Sequence, residues 1–196
     1  MEAGIPYKLD AWDLENGNKK GEKGVPFYEE FVRPLLPYIW AEVKKHFPRD
    51  AFDMLASLQG FGGDRDGGFW GLVGPGGEKT GFSKVTVSLD NPTDLHWDKN
   101  NFGVTALLIL PSEDLVGGTH ALISDDFSSA VLVRDTPYGL LIIGDYGRVL
   151  HGNLATYAGS RFIVNMYCAK EVCKRLTCGP RAWQPAAEGY DECDIP

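Results

Sequence analysis

The stretch KVTVSLDNPTDLHWDKNNFGVTALLILPSEDLVGGTHALI, residues 84–123, decides the fold. It holds three short apolar or alternating runs: KVTVSL (84–89), VTALLIL (104–110) and THALI (119–123). Between them lie DNPTD and PSEDLVGG, rich in residues that favour turns. The same rhythm continues through AVLVRD (130–135), LLIIG (140–144), RVLHG (148–152) and RFIVNMYC (161–168), with SDDFSS, DTPYG and GDYG as the breaks. Many short strands separated by turn signals predict an all-β sandwich or barrel.

Towards the N-terminus the period changes. Phe27, Phe31, Leu35, Leu36, Ile39, Trp40, Val43 and Phe47 recur at helical spacing. Pro34 and Pro37 interrupt the pattern, which predicts a kink or two short helices. Pro48 closes it, and DAFDMLASLQ reads as a further short helix with Asp50 as its N-cap. Helices that precede the strands in sequence are expected to pack outside the sheet. The fold class is therefore α+β, mainly β, with flanking N-terminal helices.

Between helices and strands runs GFGGDRDGGFWGLVGPGGEKTG, residues 60–81, with ten glycines. Ordering such a run is entropically expensive, and a long loop inside a compact domain is usually functional or mobile. Phe61, Phe69 and Trp70 give it apolar anchors, so it is expected to border the functional site as a lid or substrate loop; a plain surface loop is the alternative. The division that follows is an arm at 1–25, one domain at 26–180 and a loose acidic tail at 181–196. Within the domain, helices occupy 26–59, the glycine-rich loop 60–81 and the β core 82–168, with KEVCKRL as a last short helix.

The chain has 196 residues, 43% of them hydrophobic, enough to bury one core of ordinary size. No run approaches the roughly 18–20 apolar residues of a membrane helix, and the first residues lack the basic and apolar segments of a signal peptide. A soluble intracellular monomer is expected, nuclear if the source is eukaryotic. The net charge of -8 and pI near 5.0 argue against tight non-specific binding to polyanions, while leaving room for a local basic groove. The lysines of ENGNKKGEKG are weak grounds for phosphate contact. Cys168, Cys173, Cys178 and Cys193 form no C-x-x-C pair, so free thiols are expected, with an irregular zinc site or a disulfide as alternatives.

The chemistry concentrates in LHWDKNN, residues 95–101. On a strand, residues two apart point to one face, so His96 and Asp98 can aim an imidazole and a carboxylate at one point. An isolated H-x-D is as well explained by a solvated turn. His151, in VLHGN after the GDYG turn and at the end of a short strand, supplies a second imidazole. Two histidines and one carboxylate with open positions make the facial triad of non-haem Fe(II) oxygenases. Arg161 opens the strand RFIVNMY ten residues on. Its guanidinium fork can clamp a carboxylate with two bonds if the strand brings it beside the metal; otherwise it is a surface charge. Asp145 and Tyr146 in GDYG read as structural, and His120, in a strand after the GG turn, as a satisfied strand histidine, with reach to the pocket as the alternative.

H-x-D, then GGTHALI, then LLIIGD, then the distal histidine with RFIVN at +10, resembles the 2-oxoglutarate/Fe(II) dioxygenase superfamily. The sequence LHWDKNN followed by GVTALLIL, a short acidic segment and a GG turn looks most like its TET/JBP branch, oxygenases of 5-methylpyrimidines in DNA. The resemblance covers roughly residues 82–168. It implies a double-stranded β-helix (jelly roll), with His96, Asp98 and His151 as iron ligands and Arg161 holding the distal carboxylate of 2-oxoglutarate. It implies Fe(II) as cofactor, 2-oxoglutarate and O2 as co-substrates, and DNA containing a 5-methylpyrimidine as partner. Asn101 matches a position that contacts the target base, a task an amide suits; its other reading is a turn-stabilising side chain. A flipped base needs an aromatic face, for which Phe102, Trp97, Phe69 and Trp70 are candidates, each otherwise a core residue. The chain departs from the branch in being small and acidic, with no Cys-rich insert. Three alternatives stay open: an oxygenase acting on a protein side chain or small metabolite, an ascorbate-using enzyme that modifies 5-methylcytosine, and a non-enzymatic β-sandwich binding module.

Overall fold

A computed structural model of the protein describes residues 7–10, 24–59, 69–89, 93–124, 126–134 and 136–173. The described chain begins with β1 (Tyr7–Asp10), which pairs antiparallel with β2 (Lys84–Leu89). This strand lies in the segment read as an arm; edge pairing uses the backbone and leaves little side-chain signature. The rest of that segment and the tail at 181–196 lie outside the described residues.

Helical structure runs continuously from Gly24 to His46. It passes from α1 (Gly24–Phe27) through a π turn (Tyr28–Val32) and a 3-10 turn (Arg33–Leu35) into α2 (Leu36–His46). Pro34 and Pro37 are thus accommodated by changes in helical winding rather than by two separate helices. α3 (Pro48–Ser57) starts at Pro48, where a proline lacks only an amide that would be unpaired anyway. Phe47 occupies the N-cap and Asp50 falls in the first turn, so Asp50 is not the cap. Its charge still suits the positive end of the helix.

The strands are β3 (Thr93–His96), β4 (Asn101–Pro111), β5 (Val116–Gly117), β6 (His120–Ile123), β7 (Ala130–Val133), β8 (Leu140–Gly144), β9 (Leu150–Asn153), β10 (Thr156–Ala158) and β11 (Arg161–Ala169). They form two principal antiparallel sheets, ordered β1-β2-β11-β4-β8 and β3-β9-β6-β7, with a short β5-β10 ribbon beside them. β2, β3 and β4 alternate between the sheets, as do β8, β9 and β11. That alternation defines the double-stranded β-helix anticipated from the sequence.

Strand periodicity gives the larger sheet two distinct faces. Val85 and Val87 of β2, Val104 and Ala106 of β4, and Val164, Met166 and Cys168 of β11 join the core cluster of the helices. The intervening Leu107, Ile109 and Ile163 face the other sheet, with Tyr146. Of the glycine-rich segment, 60–68 fall outside the described residues. The described remainder is no lid: Leu72 donates to Phe82 O and Thr80 to Leu72 O, and Phe69 and Leu72 are buried in the helix-side core. Gly71 permits this, since a Cβ there would sit 2.6 Å from Thr80 O. Residues 170–173 are helical, the start of the predicted last helix. Cys168 and Cys173 are buried, form no disulfide with each other, and have their sulfurs 3.3 Å apart. Among the described residues no helix is long and apolar enough to cross a membrane.

Candidate metal centre

β3 ends at His96, so Asp98 lies beyond the strand and its aim is not a matter of strand alternation. Instead Asp98 N–H donates to Tyr146 O (2.8 Å) and Asp98 O accepts from Asn101 N–H (2.8 Å). β3 pairs with β9 through Thr93↔Asn153 and His96↔His151, with a bulge between them. The extra residue lets Thr93 and His96, three apart, turn to the same cavity. His151 is the second residue of β9, at its start rather than at its end.

The ligating atoms of His96, Asp98 and His151 all lie within 4.8 Å of one another. His96 Nε2 is 3.4 Å from Asp98 Oδ1, and His151 Nε2 is 3.8 Å from Asp98 Oδ2. Both rings are tethered through the far nitrogen: His96 Nδ1–H donates to Asp94 O (2.7 Å) and His151 Nδ1–H to Val149 O (2.9 Å). A carbonyl can only accept, so each neutral ring carries its proton on Nδ1 and turns the Nε2 lone pair inward. Burial lowers the basicity of His151; the Val149 bond and Asp98 oppose this, and His96 adds to it. Two inward lone pairs and one carboxylate fit a divalent first-row metal, with one side left open by the donor set.

Beside these atoms lies a cavity of about 130 Å³ between the sheets. Thr86 and Ser88 of β2 and Ile163 and Asn165 of β11 line it from one sheet; Thr93, His120 and Asn153 line it from the other. Of these, His120 was singled out from the sequence, whereas the polar Thr86, Ser88, Thr93, Asn153 and Asn165 were not. The signal was present, since Thr86, Ser88 and Asn165 are the polar positions that alternate with apolar ones in KVTVSL and RFIVNMY. Arg161 is buried at 1% exposure and shares the inner face of β11 with Ile163 and Asn165, though it does not itself line the cavity. It is seated against Gly118, whose φ of +69° and missing Cβ leave room for the guanidinium; a Cβ would come within 3.2 Å of Arg161 Nη1.

The substrate candidates separate. Asn101 is buried, and its Nδ2 donates to Asp98 Oδ2 and to Thr105 Oγ1, both at 3.0 Å. It therefore steadies the carboxylate, and both amide hydrogens are engaged away from any ligand. Phe102, Phe69 and Trp70 pack with the helix-side core and are not brought to the cavity. Trp97 stands between His96 and Asp98 at 40% exposure, with the Lys99 ammonium 5.7 Å from its ring centre.

His120 is also held below its ordinary value of 6.5, chiefly by burial, against the opposing bond to Asn153. For both His120 and His151 the unfolded chain binds protons at a higher pH than the folded one. The stability they contribute is full above about pH 6.5 and is lost as pH falls through their lowered folded values. Chelator-treated protein should show a lower urea midpoint at about pH 5.5 than at about pH 7.5. A midpoint that stays level or rises over that interval would contradict the assignment.

The sheet order defines a jelly roll, and solved structures share that fold. Its particular likeness is to NgTET1, solved in complex with 5mC DNA, with a TM-score of 0.59 at 14% identity over 86% of this chain and 62% of that one. The chain thus spans less than two thirds of the NgTET1 chain. Matches with lower TM-scores include a 2OG-Fe(II) oxygenase family oxidoreductase from Burkholderia pseudomallei (0.38, 13% identity, 45% of this chain and 43% of that one). Another is the viral collagen prolyl hydroxylase of Paramecium Bursaria Chlorella virus-1 (0.35, 12% identity, 84% and 89%). No family profile matches the chain, and no curated protein matches its sequence.

Proposed function

We propose that the chain is an Fe(II)- and 2-oxoglutarate-dependent dioxygenase that oxidises the methyl group of a 5-methylpyrimidine in DNA, foremost 5-methylcytosine, to hydroxymethyl and further. The observation that carries this reading is the convergence of His96, Asp98 and His151 within 4.8 Å, beside a polar cavity inside a jelly roll. In this reading the three side chains would hold Fe(II), and Arg161 would pair with the far carboxylate of 2-oxoglutarate. Bound Fe(II) and 2-oxoglutarate would supply oxygen activation coupled to decarboxylation of the co-substrate, with ascorbate as the alternative co-substrate.

The remaining work belongs to this chain's own residues. The Nδ1 tethers to Asp94 and Val149 keep both imidazoles aimed, with Nε2 turned to the site. Asn101 holds one carboxylate oxygen of Asp98. Leu107 and Ile163 limit water in the cavity. A target base must leave the duplex stack, at a few kcal/mol. Trp97 offers a face for it beside the ligands, and Lys99 a charge for the neighbouring phosphate. Support for DNA comes from the sequence resemblance to the TET/JBP branch and from the fold likeness to a protein solved with 5mC DNA.

The test is incubation of the protein with 5-methylcytosine duplex DNA, Fe(II) and 2-oxoglutarate, with the nucleosides read by mass spectrometry. Appearance of 5-hydroxymethylcytosine is the expected result. Succinate release without any change in the DNA would favour a second reading, an oxygenase of a protein side chain or small metabolite. The net charge of -8 supports that alternative. A protein that takes up no metal at all would leave the binding-module reading.

A further inference from the structure

The turn between β8 and β9 contains a residue that touches two of the three candidate ligands. Tyr146 is 2% exposed. Its backbone carbonyl accepts the Asp98 amide (2.8 Å), and its ring lies against His151 with centroids 4.3 Å apart and planes at 35°. Its hydroxyl lies 3.1 Å from His120 Nε2. A phenolic hydroxyl buried this deeply requires a hydrogen-bond partner, and a chain of polar residues supplies and orients that partner.

The directions of the bonds follow in order. Asn153 Nδ2 donates to Thr93 Oγ1 (3.1 Å), which turns Asn153 Oδ1 towards His120 Nδ1 at 2.7 Å. An amide oxygen only accepts, so His120 carries its proton on Nδ1 and leaves a lone pair on Nε2. Tyr146 O–H must then be the donor to His120. The row Tyr146, His120, Asn153, Thr93 is polarised in one direction, and such rows strengthen cooperatively in a poorly polar interior. Asp145 closes the turn beneath it, accepting from Val149 N–H (2.9 Å) and from Gly147 N–H (3.1 Å).

We propose that Tyr146 is a positioning residue for the metal centre, bracing the Asp98 backbone and the His151 ring while the His120–Asn153–Thr93 row fixes its own orientation. The proposal rests on the reading of His96, Asp98 and His151 as metal ligands. His151 is held at one ring edge by Val149 O. Tyr146 covers one ring face and thereby restricts rotation about the bond that swings Nε2 away. His120, read from the sequence as a satisfied strand histidine, is satisfied, but its two partners make it the link between Tyr146 and the β3–β9 ladder.

Mn(II) binding by calorimetry and the visible spectrum of the Co(II)-loaded protein test this, at a temperature where every variant is folded. Tyr146→Phe removes one oxygen and leaves ring and backbone in place. It is expected to weaken Mn(II) binding by about tenfold, the lower end of what loss of an outer partner of a ligand brings, and to shift the Co(II) bands. His120→Leu, which removes the acceptor instead of the donor, is expected to do the same. Tyr138→Phe, at a side chain 97% exposed, should match the wild type in both measurements. A Tyr146→Phe protein with wild-type Mn(II) affinity and a superimposable Co(II) spectrum, merely less stable, overturns the proposal alone. A wild type that takes up no Mn(II) overturns the ligand reading and this proposal with it.

Discussion

Asp98→Ala is expected to yield a folded protein that retains no stoichiometric Fe(II) or Mn(II) after reconstitution and desalting, and that releases succinate only at background. The carboxylate bridges the site: Oδ1 faces His96 Nε2 at 3.4 Å and Oδ2 faces His151 Nε2 at 3.8 Å. Alanine leaves two neutral imidazoles and no anion to balance a divalent ion. The loss should therefore exceed the roughly 10–100-fold that follows removal of an outer partner of a ligand. Asn101 Nδ2 also loses an acceptor, yet keeps Thr105 Oγ1. Because the Asp98 side chain is 22% exposed, the unfolding midpoint should move little. Metal content by mass spectrometry beside thermal unfolding separates the two effects. Wild-type metal retention in this variant would remove the carboxylate from the site.

Phe82→Ala is expected to destabilise the fold by about 3–5 kcal/mol, read as a fall in the urea midpoint at unchanged slope. Phe82 is fully buried and meets the Trp40 ring edge-on, with centroids 5.2 Å apart. It joins the glycine-rich segment, α2 and the outer face of the larger sheet in one cluster. The neighbouring backbone is held as well, since Phe82 O accepts from Leu72 N–H at 2.6 Å. The cavity left behind has little scope to collapse between a helix and a sheet. Mn(II) affinity below the unfolding transition should be unchanged, since the candidate ligands lie on the inner side of that sheet. A loss below about 1 kcal/mol would mean that the helix-side core does not hinge on this ring.

The parts of the fold that were legible are those whose side chains carry the strand period. KVTVSL, VTALLIL and RFIVNMYC became β2, β4 and β11 because alternate residues have two different environments to satisfy, the helix-side core and the cavity. Tyr7–Asp10 was not legible because an edge strand joins through amides and carbonyls. The convergence of His96, Asp98 and His151 was anticipated, but for a partly different reason. A bulge in β3 turns His96 to the cavity and a turn anchored on Tyr146 orients Asp98, and neither leaves a mark in composition. Phe69, Trp70 and Phe102 could not be assigned to a side from sequence, since an aromatic ring suits a core and a ligand face equally well. The row from Tyr146 to Thr93 joins residues from four separate segments, so only the fold could assemble it.

His96 and His151 face each other across the β3–β9 ladder, yet β4 through β8 lie between them along the chain. The site therefore cannot nucleate locally. It closes only when most of the jelly roll has already formed, in a topology dominated by distant pairings that folds on the order of milliseconds to seconds. A nascent chain released before β9 would carry one imidazole and a carboxylate with no partner to complete a metal cage. On the proposed reading, metal capture would report on the finished protein, and a metal ion would find no complete site on its unfinished precursors.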